Sequence, residues 1–253
     1  MKKELYIDAV LTPADVQSAE LNNICIVVDV LRASSTIVTL LSKGCKRVYT
    51  VETISDARSL AQSKGLLLVG ERNGIKVDGF DYGNSPFELE GFEPDGREAV
   101  LTTTNGTKAV QKVSAAPEVL IGCFLNAKAC CTRALELSYK HDTDINIVCA
   151  GEKGRFVLDD AFCTGYFATV LKEIAEFNGT KVNLSDAAQA AGKLYRSYPD
   201  IVSGFLDSFS GQRLMEINSA EDLAACSKID ITEVVPVLYE KSPCLFIDSE
   251  RRS

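Results

Sequence analysis

Short apolar runs alternate along the chain with longer stretches whose apolar positions recur at helical spacing. Continuous runs predict strands at 5–10, 24–30, 47–50, 66–69, 99–102, 119–122 and 145–149. Amphipathic stretches between them predict helices at 34–43, 55–64, 107–113, 127–139 and 159–176. Gly44 and Gly65 stand where the first two should stop, since glycine adopts the left-handed turn that ends many helices. The alternation predicts an α/β protein, a three-layer α/β/α sandwich on a mostly parallel, mixed sheet. From 183 to 229 the pattern reads as helical throughout. Ser185 and Asp186 are candidate caps there, Pro199 a break, and Ser219 with Asp222 resembles a capping box. Two closing strands follow at 233–239 and 244–247, and Pro236 with Pro243 suggests that they lie at a sheet edge. One domain over 1–253 is expected, with 183–229 as a helical layer or subdomain. The 71–94 stretch has little periodicity, and a connection this long within a compact domain is usually functional.

Composition narrows the function. The net charge of −8 and a hydrophobic content of 46% suit a globular protein that does not take nucleic acid as its main partner. No apolar run approaches the ~20 residues that span a bilayer, and the amino-terminal MKKELYIDAV reads as a first strand rather than a signal peptide. Nine cysteines at irregular spacing read as reduced core thiols, so a cytoplasmic location is expected. The single histidine, His141, rules out a histidine-built triad or zinc site. A homodimer is the default expectation for a soluble enzyme.

The same design then recurs three times: an apolar strand ends in polar groups just before a helix. In VVDVLRASST these are Asp29, Arg32, Ser34, Ser35 and Thr36. In AVLTTTNGTKAV they are Thr104, Asn105, Gly106 and Thr107. In INIVCAGEKGRFVLDDAFCTG they are Cys149, the Gly151–Gly154 loop, Arg155, Asp159 and Asp160. Free amides and the positive dipole end of a helix start suit an anion, and arginine adds a fork of donors. The simpler reading is a set of helix caps. If the three cradles sit at the carboxyl ends of neighbouring strands, they surround a small, multiply charged ligand. Asp29, Glu71 and Asp160 are hard oxygen donors of the kind Mg²⁺ prefers, so a phosphate ester with Mg²⁺ fits. Cys149 and Arg155 also have the C-x5-R spacing of cysteine phosphatases, in which a low-pKa thiolate attacks phosphorus.

Taken together, VVDVLRASST, GERNG with GFDYGNSP, TTTNGT and CAGEKGRFVLDDAFCTG resemble the 2-phosphosulfolactate phosphatase family. The resemblance implies an α/β/α fold and a Mg²⁺-dependent hydrolase of 2-hydroxy acid phosphates. Its nominal reaction takes 2-phosphosulfolactate and water to 3-sulfolactate and phosphate, a step toward coenzyme M. On this reading Arg32 with Ser34, Ser35 and Thr36 binds one anionic end of the substrate. Thr104, Asn105, Gly106 and Thr107 bind another. Asn84 and Ser85 close over the site, Arg72 and Arg155 are further clamps, and Asp29, Glu71 and Asp160 hold the metal, with Asp159 competing with Asp160. The nucleophile is a metal-bound water, Asp29 or Cys149. A non-catalytic binder of an organic acid or phosphorylated metabolite would use the same cradles.

Overall fold

The computed structural model describes residues 3–251. Eleven strands among them form one mixed sheet in the order β5-β4-β6-β3-β11-β10-β7-β2-β8-β1-β9. The strands are β1 Glu4–Val10, β2 Ile24–Val28, β3 Val48–Thr50, β4 Leu67–Arg72, β5 Ile75–Lys76, β6 Ala99–Thr102, β7 Val119–Ile121, β8 Ile145–Cys149, β9 Lys181–Leu184, β10 Pro236–Lys241 and β11 Cys244–Asp248. The helices are α1 Ala33–Ser42, α2 Ile54–Lys64, α3 Gly106–Val113, α4 Ala127–His141, α5 Leu158–Phe177, α6 Asp186–Arg196, α7 Ile201–Asp207, α8 Phe209–Glu216 and α9 Glu221–Cys226.

Every residue of β2 and β8 is buried, which is why both read as unbroken apolar runs. On β3, β6 and β11 the side chains alternate between two cores. Val48, Leu101 and Phe246 join the main core. Tyr49, Val100 and Leu245 join a smaller one with Ala57, Ala61, Val77 and Phe80. That period of two is the pleat of strands covered on both faces, as an α/β/α sandwich requires. The sheet is therefore the layered, mostly parallel one that the sequence pattern predicts.

The carboxy-terminal strands depart from expectation. β10 and β11 are not at an edge: β11 pairs antiparallel with β3, and β10 pairs antiparallel with β7, so the hairpin lies in the middle of the sheet. Pro236 is tolerated because it opens β10, and Pro243 because it sits in the turn. The hairpin divides the sheet into a β4-β6-β3 part and a β7-β2-β8-β1-β9 part, each parallel within itself. A register shift between Leu238 and Glu240 adds twist at the junction. The edges are instead β5, a two-residue strand within the long loop, and β9.

The 183–229 segment is not helical throughout. Asn183 and Leu184 belong to β9, which pairs with β1, and the last helix ends at Cys226. A four-residue strand with a polar edge carries too little alternation to be seen beside the helical pattern that follows it. Ser185 caps α6 by accepting from the Ala188 amide. Ser219 and Asp222 form no capping box, because the Asp222 carboxylate is used elsewhere. α6 packs closely on α5, where a Cβ at Gly165 would lie 2.0 Å from the Ala191 carbonyl oxygen. Only glycine permits that approach.

Candidate active site

Residues following β2, β4, β6 and β8 come together around a cavity of about 520 Å³. Its wall includes Asp29, Arg32, Glu71, Asn84, Thr104, Asn105, Glu152 and Lys153, so all three sequence-predicted cradles contribute side chains to it, the third through its glycine loop alone. These strands are not all neighbours. β2 and β8 are adjacent, as are β4 and β6, but the hairpin lies between the two pairs.

After β2 the chain turns sharply into α1, and the protein supplies its own anion there. Asp29 Oδ1 accepts from the Ala33 amide at 3.1 Å, and the Asp29 carbonyl oxygen accepts from the Ser34 amide at 2.8 Å. The Ser34 hydroxyl accepts from the Asp29 amide and donates to the Val27 carbonyl oxygen, while Ser35 Oγ donates to Val30. Ser34, Ser35 and Thr36 are all buried and none lines the cavity. Local bonds to the backbone before α1 account for two of the hydroxyls expected from sequence to meet substrate.

At the end of β4, Gly70 at φ +154 lets the backbone pass Thr102, where a Cβ would stand 2.2 Å from its carbonyl oxygen. Glu71 then accepts from the Gly74 amide at 2.6 Å, the Thr104 amide at 2.7 Å and the Thr104 hydroxyl at 3.2 Å. Arg72 turns away from the cavity and donates to the carbonyl oxygens of Glu71 and Glu52 and to Thr102 Oγ1. After β6, Asn105 does not cap α3. Its amide donates to Glu152 and its Oδ1 accepts from the Lys153 amide at 2.9 Å, tying this turn to the loop after β8. Gly106 lies against Asp29, where a Cβ would meet Oδ2 at 2.7 Å. Thr107 donates back to the Thr103 carbonyl oxygen and does not line the cavity.

The loop after β8 turns through Gly151, Lys153 and Gly154, all at positive φ. Asp160 fastens it, accepting from the Gly151 amide at 2.9 Å and the Val30 amide at 3.0 Å. Lys153 reaches the cavity wall; Arg155 is exposed and does not. Cys149 is fully buried, with its sulfur 3.2 Å from Thr164 Oγ1. Burial, and then the Asp160 charge, push its thiol well above the usual cysteine range. A nucleophilic cysteine needs the opposite shift and access to substrate, so this arrangement does not suit the C-x5-R chemistry.

Three carboxylates beneath the cavity repel ionisation. Asp29 is pushed up to about 7 by burial, against the favourable Ala33 amide, with Asp159, Glu71 and Glu152 adding their charge. Asp159 rises to about 6, again by burial, and Asp160 rises by burial and by the charges of Asp159 and Asp29. Three buried polar atoms lack a partner here: Asn84 Oδ1, Thr103 Oγ1 and Asp159 Oδ1. Such atoms in native proteins commonly mark the place of a water, ion or ligand.

The expected metal set does not assemble as a trio. Among the described residues no group of three or more His, Cys, Asp or Glu side chains is arranged to hold a metal ion. Glu71 is committed to Gly74 and Thr104, and Asp160 to Val30 and Gly151. Asp29, and Asp159 with its unpartnered Oδ1, are left. Mg²⁺ keeps several waters and binds through one or two carboxylates plus substrate phosphate, so donors of this type suit it, Asp29 from the cavity wall and Asp159 from beside Ser208 and Ser210.

Several wall residues have no role predicted from sequence: Asn73 and Lys153, which lie inside motifs, and Phe209, Ser210, Arg213 and Glu216, which lie in none. α8 brings the last four, from a helical stretch without a recognisable pattern of its own. Lys153 and Arg213 are cations at the wall, and each has only a partly exposed carboxylate beside it, Glu152 at 3.7 Å and Glu216 at 2.9 Å. Such pairs hold side chains weakly. Ser85 and Phe87 face a second cavity of about 350 Å³ that shares Arg32, Gly74 and Asn84 with the first.

No helix among the described residues is long and apolar enough to cross a membrane. Comparison with known proteins agrees with the resemblance carried by the motifs. The family model for 2-phosphosulpholactate phosphatase matches residues 10–241. A probable 2-phosphosulfolactate phosphatase of Carboxydothermus hydrogenoformans is 37% identical over 250 residues, covering 98% of this chain and 99% of that protein. One of Clostridium acetobutylicum is 36% identical over 235 residues, covering 92% and 97%. One of Pseudothermotoga lettingae is 35% identical over 236 residues, covering 92% and 96%. With the match extending over nearly the whole chain, this protein belongs to the 2-phosphosulfolactate phosphatase family.

Proposed function

We propose that this protein hydrolyses phosphate monoesters of 2-hydroxy acids, nominally 2-phosphosulfolactate to 3-sulfolactate and phosphate, in the cavity between β2, β4, β6 and β8. The observation that carries the reading is the pairing of cations and unpartnered polar atoms with buried acids around one cavity of about 520 Å³, in a chain of this family. Such a substrate carries a phosphate, a carboxylate and a sulfonate. Arg32, Lys153 and Arg213 supply positive charge to them, and Thr104 and Asn105 line the same wall. Asn84 Oδ1, an acceptor without a donor, suits an incoming water or the hydroxyl that hydrolysis leaves on the product.

The proposal includes Mg²⁺, held by Asp29 and Asp159. When bound, the cation supplies charge neutralisation at the phosphoryl oxygens and orients the attacking oxygen. The raised Asp29 supports this: burial and neighbouring acids leave its anionic form poorly compensated. Glu71 and Asp160 build the site by fixing the turns after β4 and β8. Nine buried free thiols suit a reducing compartment, in keeping with a cytoplasmic location; the nominal reaction is a step toward coenzyme M.

The test is phosphate release from a panel of 2-phospho-hydroxy acids, with Mg²⁺ and with EDTA. Turnover that disappears in EDTA and returns with Mg²⁺ is expected. Turnover indifferent to EDTA removes the metal from the proposal. A thermal shift with sulfolactate or phosphate, without turnover on any ester, replaces the hydrolase with a binding protein.

A further inference from the structure

Arg32 and Asp222 lie 190 residues apart in sequence and meet in the fold, Nη1 to Oδ2 at 2.6 Å. Only 5% and 1% of their side chains are exposed. Asp222 Oδ1 also accepts from the Ser85 hydroxyl at 2.8 Å and the Phe87 amide at 3.0 Å. On its other side Arg32 Nη2 donates to the Gly74 carbonyl oxygen at 2.7 Å. The guanidinium thus stands in the wall between the two cavities, held from both ends. It has five N–H donors, and these contacts use two of them. Asp222 in turn connects the β2–α1 turn, the 71–94 loop and α9 through one carboxylate.

We propose that Asp222 is a positioning residue for this enzyme, fixing the Arg32 guanidinium at the cavity wall so that its remaining donors meet the substrate anion. The proposal rests on the hydrolase reading above. A buried ion pair is a poor route to stability, because desolvating both charges offsets most of their attraction. Its placement at the cavity wall gives it another use. An unrestrained arginine would have to be ordered each time an anion bound, whereas a clamped one is aligned beforehand. The same carboxylate pins Ser85 and Phe87, so Asn84, the adjacent wall residue with an unpaired oxygen, is held in register with Arg32.

The test is a kinetic comparison of Asp222→Asn, Arg32→Ala and the double variant, with folding checked by near-ultraviolet circular dichroism and a thermal melt. Asp222→Asn can still accept from Ser85 and Phe87 but carries no charge for Arg32. Its kcat should fall by about tenfold to a hundredfold, as expected for a misplaced catalytic contact. KM for the 2-phospho acid should change less than kcat, because ordering a freed guanidinium weakens binding while the loss of a negative charge from an anion site strengthens it. The double variant should have the kcat of Arg32→Ala, since Asp222 acts through Arg32.

Full kcat in folded Asp222→Asn, or a further loss when it is added to Arg32→Ala, overturns the proposal. Should Asp222→Asn fail to fold, Asp222→Glu keeps the charge and displaces it by one methylene; undiminished kcat there overturns the proposal equally. Absence of phosphate release by the unaltered enzyme defeats the hydrolase reading alone. Calorimetric titration with inorganic phosphate then decides about Asp222. An effect of Asp222→Asn on affinity that vanishes in the Arg32→Ala background supports positioning, and an equal effect or none in both backgrounds overturns it.

Discussion

Asp29→Asn should make the protein more stable at alkaline pH while abolishing phosphate release. Asp29 is buried; its Oδ1 accepts from the Ala33 amide and its own amide donates to Ser34. An asparagine Oδ1 can take the same bond, so the turn into α1 keeps its geometry. What changes is charge. Unfolded, this carboxyl ionises near 3.8; folded, burial and then Asp159, Glu71 and Glu152 hold it up to about 7. The native state therefore binds the proton more tightly than the unfolded chain, and stability falls as pH rises from about 4 to about 7. Each unit of separation corresponds to ~1.4 kcal/mol, so the ionised carboxylate costs up to about 4 kcal/mol above pH 7. The neutral amide escapes that cost. Urea unfolding in EDTA, at about pH 4, 6 and 8, should show the variant ahead by about 2 to 4 kcal/mol at the highest pH and level with the unaltered protein at the lowest. A variant that is less stable at pH 8, or whose stability keeps the same slope, would refute the argument that Asp29 is a strained acid in a site awaiting a cation.

Three other substitutions probe the same cavity. Gly106→Ala puts a Cβ 2.7 Å from both Asp29 Oδ2 and the Ala33 Cβ, where ordinary contact begins near 3.4 Å. It should cost about 1 to 3 kcal/mol in a thermal melt and lower kcat by about tenfold to a hundredfold as Asp29 is displaced; unchanged kcat would place Asp29 outside the chemistry. Cys149→Ser should retain kcat within a few-fold, because its thiol is buried and raised; complete loss of turnover in a folded variant would restore the cysteine mechanism. Lys153→Ala combined with Arg213→Ala should raise KM for a substrate with three anionic groups far more than for a simple alkyl phosphate, with ionic strength weakening the difference; equal effects on both substrates would remove these cations from recognition.

The local pattern by itself determined most of the layered architecture. β2 and β8 are legible as unbroken apolar runs because both of their faces are buried, α2 because Gly65 ends it in the left-handed conformation, and the start of α6 because Ser185 caps it through its own neighbours. The motifs likewise pointed to Asp29, Arg32, Glu71, Thr104 and Asn105, each within a few residues of a recognisable strand end, and to Asn84 in the long loop, and all six line one cavity. Tertiary structure alone decided the rest. The β10–β11 hairpin lies mid-sheet because β3 and β7 both leave an edge open to it, a pairing between residues far apart that no local period encodes. Ser34 and Ser35 turn inward because the Asp29 turn needs their hydroxyls, whereas Arg213 reaches the cavity from a helix without a motif and Lys153 from the glycine loop in place of Arg155. The partner of Arg32 is the sharpest case. Asp222 reads locally as a helix cap, and only folding brings it across 190 residues to the Arg32 guanidinium. Sequence specifies which groups can pair, but a buried charge takes its partner from whichever element the fold packs against it.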